Sequence, residues 1–368
     1  MRKLPLILIA LLATAILVAM PFLCAHSNMR PEVSTAYYEY NAMEEALTAT
    51  GPEAELMRLL TGLSADTELE PVSTPITFQW FGLELAWCTL LCIAYLLRGV
   101  RKTPAIRPAL LWTAALAVPL GFLGARLVYC LVNLTFYLQD ITAPLAMLKV
   151  WEGGLSLSGA LMFSALSGVI GAKIGKASVG EVLDQLAAPL LWLIIFVNMA
   201  VSALGMGFGP EVNGGFMTID VNGADRLDTP YLAIIALLVM MFSLETFLRR
   251  KTVPTGTRFA LHAFLYGAVM ILLESLRKDG HMVWGFVHAE MVFDLLFALG
   301  GLLFLARTKK RILLSLLFTA MMAGAVVALE FALDRSSIGD GLLYTAYIAV
   351  LGAYLIWGCT CAKLQLEK

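Results

Sequence analysis

The 368-residue chain predicts an all-α, polytopic integral membrane protein of about ten transmembrane helices. Three observations carry that prediction. Apolar residues make up 60% of the chain, charged residues only 14%, and the mean hydropathy is +0.81. A soluble domain carries roughly 25% charged residues, so a soluble globular enzyme and a disordered chain are both excluded. Second, ten apolar runs approach or exceed the ~20 residues that a helix needs to cross a hydrocarbon core. They cover 4–23, 78–97, 108–136, 154–172, 186–208, 230–248, 259–276, 286–306, 312–333 and 341–360, and none alternates apolar with polar residues as barrel strands do. Third, the basic residues concentrate on alternate loops. With the N-terminus in the cytoplasm, 18 of the 26 basic residues fall on cytoplasmic loops, seven on outer ones, and Arg126 lies inside a span. The positive-inside rule then predicts that both termini are cytoplasmic.

Taken in order, the apolar run 4–23 follows Arg2 and Lys3 as in a signal peptide, so that 1–23 resembles one. Leu23 precedes Cys24 where a lipobox carries a small residue, so this run reads as an uncleaved transmembrane anchor. Residues 24–77 carry nine acids against Arg30 and Arg58 and read as an extracytoplasmic solvated cap. Within it, 42–63 has a short amphipathic pattern between breaks at Pro31, Gly51-Pro52, Pro71 and Pro75. The six cysteines show no zinc spacing; Cys88 and Cys92, one turn apart in an apolar run, suit packing.

An ionisable group inside a membrane helix costs about 2.5–3.5 kcal/mol even on lenient scales, so each embedded charge needs a partner or a task. The candidates are Glu84, Arg126, Asp184, Glu274 with Arg277 three residues on, Asp294 with His288 and Glu290 nearer the outer mouth, and Glu330. Arg126 is expected to pair with Glu274 or Glu84, and Glu330 to snorkel. Gly205-x-Gly207-x-Gly209 lacks the Lys-Ser/Thr of a phosphate-binding loop and reads as a turn. His288 and Glu290 project about 200° apart on a helix and cannot jointly ligate a metal. No cofactor, metal or nucleic-acid partner is expected.

Three blocks recur in a familiar order. Gly124-Ala125-Arg126-Leu127-Val128-Tyr129 precedes Trp151-Glu152-Gly153-Gly154-Leu155-Ser156-Leu157-Ser158-Gly159, and Leu265-Tyr266-Gly267 precedes Glu274 and Arg277. Over 78–306 the chain resembles the prolipoprotein diacylglyceryl transferase family. The resemblance implies a seven-helix core, with one helix added before it and two after it in 307–368. It also implies a bacterial plasma membrane location with the site toward the outer leaflet. The activity implied is transfer of diacylglyceryl from phosphatidylglycerol, or another phospholipid, to the cysteine thiol of a prolipoprotein lipobox peptide. By the same resemblance Glu274, Arg277 and Arg126 are the catalytic candidates. Tyr129, Gly153, Gly154, Ser156, Ser158, Gly159, Asn198, Gly209 and Tyr266 are the substrate-binding ones.

The chain departs from the family pattern at chemically important positions. Ser158 stands where the family has a histidine, Asn198 and Met270 where it has arginines, Val201 and Leu204 where it has asparagines, and Met206 where it has a glutamate. Phe81 replaces an expected tyrosine. Neither an amide nor a thioether carries a guanidinium's charge. His262 lies twelve residues before Glu274, about 18 Å along a regular helix. These departures, with the acidic 24–77 segment, keep open a catalytically silent paralogue that binds lipid or a membrane partner, and the ten spans with their embedded charges also permit a transporter-like protein.

Overall fold

The computed structural model describes residues 8–9, 80–138, 147–148 and 154–366, with 216, 222, 250, 281 and 337 excepted. Helix α1 spans Trp80–Lys102, and a 3-10 turn at Pro104–Ile106 leads into α2, Arg107–Val132, followed by the short α3, Leu134–Leu138. Then come α4 (Leu157–Gly175), α5 (Val179–Ala203), the hairpin β1–β2 (Thr218–Val221, Ala224–Leu227), α6 (Thr229–Leu248) and α7 (Thr257–Leu276). A second hairpin, β3–β4 (Val283–Trp284, Val287–His288), precedes α8 (Ala289–Ala306), α9 (Lys309–Arg335) and α10 (Asp340–Leu366). Both hairpins are antiparallel and two-stranded.

Eight described helices, α2 and α4 to α10, are long and apolar enough to cross a membrane. Helix α1 is 23 residues long. The chain is an all-α, multi-pass membrane protein. Of the expected first span only Leu8 and Ile9 are described; Ile9 is buried in a cluster with Ile93, Leu96 and Leu110. The rest of that span, and 24–77, lie outside the described residues.

Several helix boundaries shift by a few residues from the hydropathy reading, and at two of them the backbone shows why. The fifth helix ends at Ala203 rather than 208, because Gly205 and Gly207 take positive φ and turn the chain out of the helix. The eighth starts at Ala289 rather than 286, because Val287 and His288 pair with Val283 and Trp284. In both places the apolar composition continued, and the backbone hydrogen bonds did not.

Glycines set the two closest helix pairs. A Cβ on Gly124 would meet Phe163 and the Gly159 carbonyl oxygen, and one on Gly159 would meet the Gly124 carbonyl oxygen and Val128. Helices α2 and α4 therefore touch backbone to backbone, the small-residue packing that lipid favours. Gly267 and Gly301 do the same between α7 and α8, against Ala298 and Phe264. Helices α9 and α10 cover this second pair: Phe264, Leu302, Met322, Tyr347 and Tyr354 share one buried cluster. Leu123, Leu131, Phe242, Met321 and Ile356 are exposed on the outside of the bundle, where hydrocarbon would solvate them.

Glu330 corrects the snorkelling expectation. It is only 5% exposed, among Ser275, Tyr347 and Tyr344, because α10 covers the face of α9 that carries it. Asp184 on α5 also has a definite task. Its carboxylate accepts from the backbone N–H of Gly256 at 2.7 Å and of Phe259 at 2.8 Å, capping α7 from a neighbouring helix. Asp184→Ala is expected to cost about 1–2 kcal/mol, the usual worth of a lost N-cap. Thermal unfolding of the detergent-solubilised protein checks this; an unchanged midpoint would mean that water caps the helix equally well.

Candidate functional site

The local structure begins at the turn before α4. Ser156 N-caps that helix: its hydroxyl accepts from Gly159 N–H at 3.1 Å and donates to Glu290 Oε1 at 2.9 Å. A hydroxyl has one proton and two acceptor sites, so one side chain serves both the helix end and the acid. The Ser158 side chain also approaches Glu290. Gly154 sits at φ +73°, with Tyr129 packed where a side chain would go, so the turn requires glycine there. Its carbonyl accepts from the Arg126 guanidinium at 3.1 Å.

One half of a second expectation, the pairing of Arg126 with Glu274, is corrected. Glu274 is held by Arg277, with both carboxylate oxygens 3.1 Å from one guanidinium nitrogen. Among its contacts, the Arg126 guanidinium donates to the carbonyls of Gly154 and, at 2.9 Å, Met147, and lies 5.9 Å from the ring centres of both Tyr129 and Tyr137. The reason is geometric: Arg277 follows Glu274 by three residues at the end of α7, within its reach, and Arg126 points toward the loop before α4. The side chain of Glu84 lies outside the described residues, as does Gly153.

Arg277 also binds Asp279 at 2.7 Å, and Asp279 accepts from Gly207 N–H at 3.0 Å. The loop after α7 is thereby pinned to the loop after α5, and Lys278 N–H to Phe208 carbonyl, 2.8 Å, adds a second tie. Gly209 belongs to this junction, donating to the Leu227 carbonyl at 2.7 Å. Burial pulls the Arg277 pKa down, but Glu274 and Asp279 more than offset it, so the guanidinium is held above its ordinary range and stays charged.

These elements enclose a cavity of about 320 Å³. Its polar lining comprises Ser156, Ser158, Tyr266, Glu274, Arg277, Glu290 and Asp294, and its more numerous apolar lining includes Leu85, Ile93, Leu96 and Phe122. Asn198 and Leu186, both lining it, are twelve residues apart on α5, so it runs about 18 Å along the bundle. The volume falls within the usual range of ligand sites.

The sequence-predicted residues therefore divide in two. Ser156, Ser158, Asn198, Tyr266, Glu274 and Arg277 line the cavity. Arg126, Tyr129, Gly154, Gly159 and Gly209 build the turns and helix contacts behind it. The positions that depart from the family pattern also face the cavity: Val201, Leu204, Met206 and Met270 all line it, with Ser158 and Asn198. The Asn198 amide donates to the Ile194 carbonyl of its own helix at 2.9 Å.

Sequence spacing marks Glu290 and Asp294 as embedded acids but does not bring them to Glu274. A signal was present: they are four residues apart in an apolar run, hence on one helical face. Both are buried, and both act electrostatically on Tyr266 together with Glu274. Among the described residues no set of three His, Cys, Asp or Glu is placed to hold a metal ion.

A bundle that is long and apolar enough to cross the membrane many times, with an elongated cavity lined by charged and apolar side chains, defines a membrane-embedded protein with an internal site. Comparison with known proteins specifies it further. Residues 71–307 match the prolipoprotein diacylglyceryl transferase family, and the chain belongs to that family. It is 25% identical over 247 residues to the phosphatidylglycerol–prolipoprotein diacylglyceryl transferase of Symbiobacterium thermophilum, covering 63% of this chain and 89% of the relative. The enzyme of the same name from Listeria innocua is 23% identical, covering 62% and 86%. That from Streptococcus pneumoniae is 24% identical, covering 66% and 96%.

Proposed function

We propose that this chain is a divergent glyceryl-group transferase, which moves diacylglyceryl from a phospholipid to the cysteine thiol of a lipobox peptide. The observation that carries the reading is the amphipathic cavity, whose polar lining holds Arg277 and whose apolar lining suits acyl chains. In the reaction the thiol loses its proton and the sulfur forms a C–S bond to the glyceryl carbon. The carbon–oxygen bond to the phosphate breaks, and its electron pair leaves on the phosphate; with phosphatidylglycerol the product is glycerol phosphate. Arg277 faces the developing phosphate charge, held in place by Glu274 and Asp279. Glu290, hydrogen-bonded by Ser156 and close to Ser158, which stands where the family has a histidine, is the carboxylate assigned to the thiol proton. Tyr266 supplies a hydroxyl to the same lining. Arg126, Tyr129 and Gly154 act through the turn that presents Ser156.

The seven-helix core at 78–306 would be the catalytic unit, with 1–23 an anchor, 24–77 an extracytoplasmic segment and 307–368 a two-helix addition. The distribution of basic residues supports cytoplasmic termini in a bacterial plasma membrane, with the Arg277 end of the cavity toward the outer leaflet.

Purified protein in phospholipid vesicles is expected to attach diacylglyceryl to a lipobox peptide through a thioether, detected by mass spectrometry. No product above an empty-vesicle control, with the protein shown to be folded, would reject the transferase reading. It would favour the silent lipid-binding paralogue, the second reading motivated by the loss of three family cations or imidazoles at Ser158, Asn198 and Met270.

A further inference from the structure

The lining of the cavity stops at one level on three helices. On α1 it runs from Leu85 to Leu96, on α2 from Ala125 back to Ala114, and on α5 from Val201 back to Leu186. One turn further on, Val100, Leu110 and Val182 do not line it; they share a buried apolar cluster with Leu96, Ala114, Leu186 and Ile9. The stop is itself closed in: Ile93, Leu96, Ala114 and Leu186 are all at most 8% exposed. Arg277 stands at the other end. Asp184 caps α7 at Gly256 and Phe259, so Leu186 lies near the start of that helix, whereas Arg277 follows its last residue. Toward Arg277 the lining is looser, and Leu85, Phe122, Leu193 and Val197 are only half-buried. Ser164, the last α4 residue in the lining, donates to the Ala117 carbonyl at 3.3 Å, so its hydroxyl proton is spent between the helices. The part of the cavity remote from Arg277 is thus a blind, apolar channel. Eleven residues separate Leu85 from Leu96, and Ala125 from Ala114, a depth of about 17 Å. An extended palmitoyl chain spans about that distance.

We infer that this channel measures one acyl chain of the donor lipid, with Leu96, Ala114 and Leu186 as the stop, so that the protein selects its donor by chain length. The inference rests on reading the cavity as the lipid-donor site. The physics has two sides. Each methylene that enters the channel leaves the looser outer lining for a buried apolar surface and gains contact. A methylene beyond the stop has no free volume, because the cluster behind Leu96 and Leu186 is packed. It must push those side chains apart or draw the reacting end of the lipid away from Arg277. A chain that is too short leaves the end of the channel unfilled, and a chain that is too long misplaces the bond that breaks. Ile9 also gains a task from this geometry, since it packs behind the stop with Ile93, Leu96 and Leu110.

The test is a donor competition on the intact protein. Purified protein in detergent micelles, where bilayer thickness plays no part, receives a lipobox peptide and equimolar dimyristoyl, dipalmitoyl and diarachidoyl phosphatidylglycerol. The mass of the thioether peptide reports which donor was used. The dipalmitoyl product is expected about tenfold over the diarachidoyl one, the scale on which an apolar pocket discriminates by methylenes. Leu186→Ala, which deepens the channel, is expected to raise the diarachidoyl share about threefold or more. Val118→Phe, one turn above Ala114 in the lining, is expected to move the preference from the dipalmitoyl to the dimyristoyl donor by about the same factor. Loss of a buried leucine can unfold a bundle, so the wild-type ratio and the Val118 change each test the stop without it. Equal use of the three donors by wild type would overturn the inference and leave the transferase reading intact. So would folded Leu186→Ala and Val118→Phe proteins that both keep the wild-type ratios. If folded protein forms no thioether from any donor, the transferase reading fails, and native mass spectrometry of the lipid retained from the same mixture decides the inference. Preferential retention of the dipalmitoyl over the diarachidoyl lipid upholds it; equal retention, or none, overturns it.

Discussion

Arg277→Met is expected to lower transfer about a hundredfold or more, the scale seen when a preorganised charge donor is removed from a developing anion. It is also expected to destabilise the fold by about 3 kcal/mol, because it strands acids rather than merely deleting a contact. Glu274 is 5% exposed, and Arg277, 18% exposed, satisfies both its oxygens and Asp279 as well. Arg277→Lys is not a rescue, because an ammonium cannot reproduce the fork that reaches two carboxylates at once. Two measurements separate the effects. The unfolding midpoint reports the stranded acids, and the double change Glu274→Gln with Arg277→Met should recover part of the lost midpoint without recovering transfer. A single Arg277→Met protein that unfolds at a lower temperature but transfers lipid at the wild-type rate would take Arg277 out of the reaction and leave it a structural role.

Gly159→Leu is expected to unseat α2 from α4 altogether. Even the first added carbon would run into the Gly124 carbonyl oxygen and lie 2.8 Å from Val128 Cβ. Backbone cannot move aside as a flexible side-chain end can, so the two helices must separate. The cost should exceed the roughly 1–3 kcal/mol of ordinary overpacking, and folded protein should be strongly depleted from membranes. Gly159→Ala is the graded version, with a lowered midpoint and partial yield. Gly324→Ala and Gly352→Ala, in α9 and α10, are the controls: nothing lies within 4 Å of either new carbon, and both should be neutral to within about 1 kcal/mol. Fluorescence-detected size exclusion of detergent extracts gives yield and midpoint together. A Gly159→Leu protein as abundant and as stable as the controls would mean that the close approach of α2 and α4 does not hold the fold.

What was legible in the residues follows from how strongly each feature is encoded locally. Apolar runs report membrane helices directly, because lipid leaves a helix no other partner for its backbone groups. The runs at 230–248 and 259–276 accordingly fall close to the helices at Thr229–Leu248 and Thr257–Leu276. Helix ends at Ala203 and Ala289 were less legible, because a turn glycine and a two-residue hairpin end a helix without changing its hydropathy. The pairing of Arg277 with Glu274 was visible as an i, i+3 spacing. The orientation of Arg126 was not, because it depends on a loop twenty to thirty residues away in sequence. Glu290 and Asp294 show the same limit. Their shared helical face could be read from spacing, but not that this face turns toward Ser156 and Glu274.

Hydropathy and short motif blocks were enough to read a chain that crosses a membrane many times and carries a transferase-like order of motifs. Both properties are recorded residue by residue, in hydropathy and in short blocks. Only the tertiary structure decided that Glu274, Glu290 and Asp294 line one cavity with Arg277 and that Arg126 stands behind it. The physical reason is that charges on different helices meet only where helix packing brings them, and here the glycine contacts of α2 with α4 and α7 with α8 set those meetings.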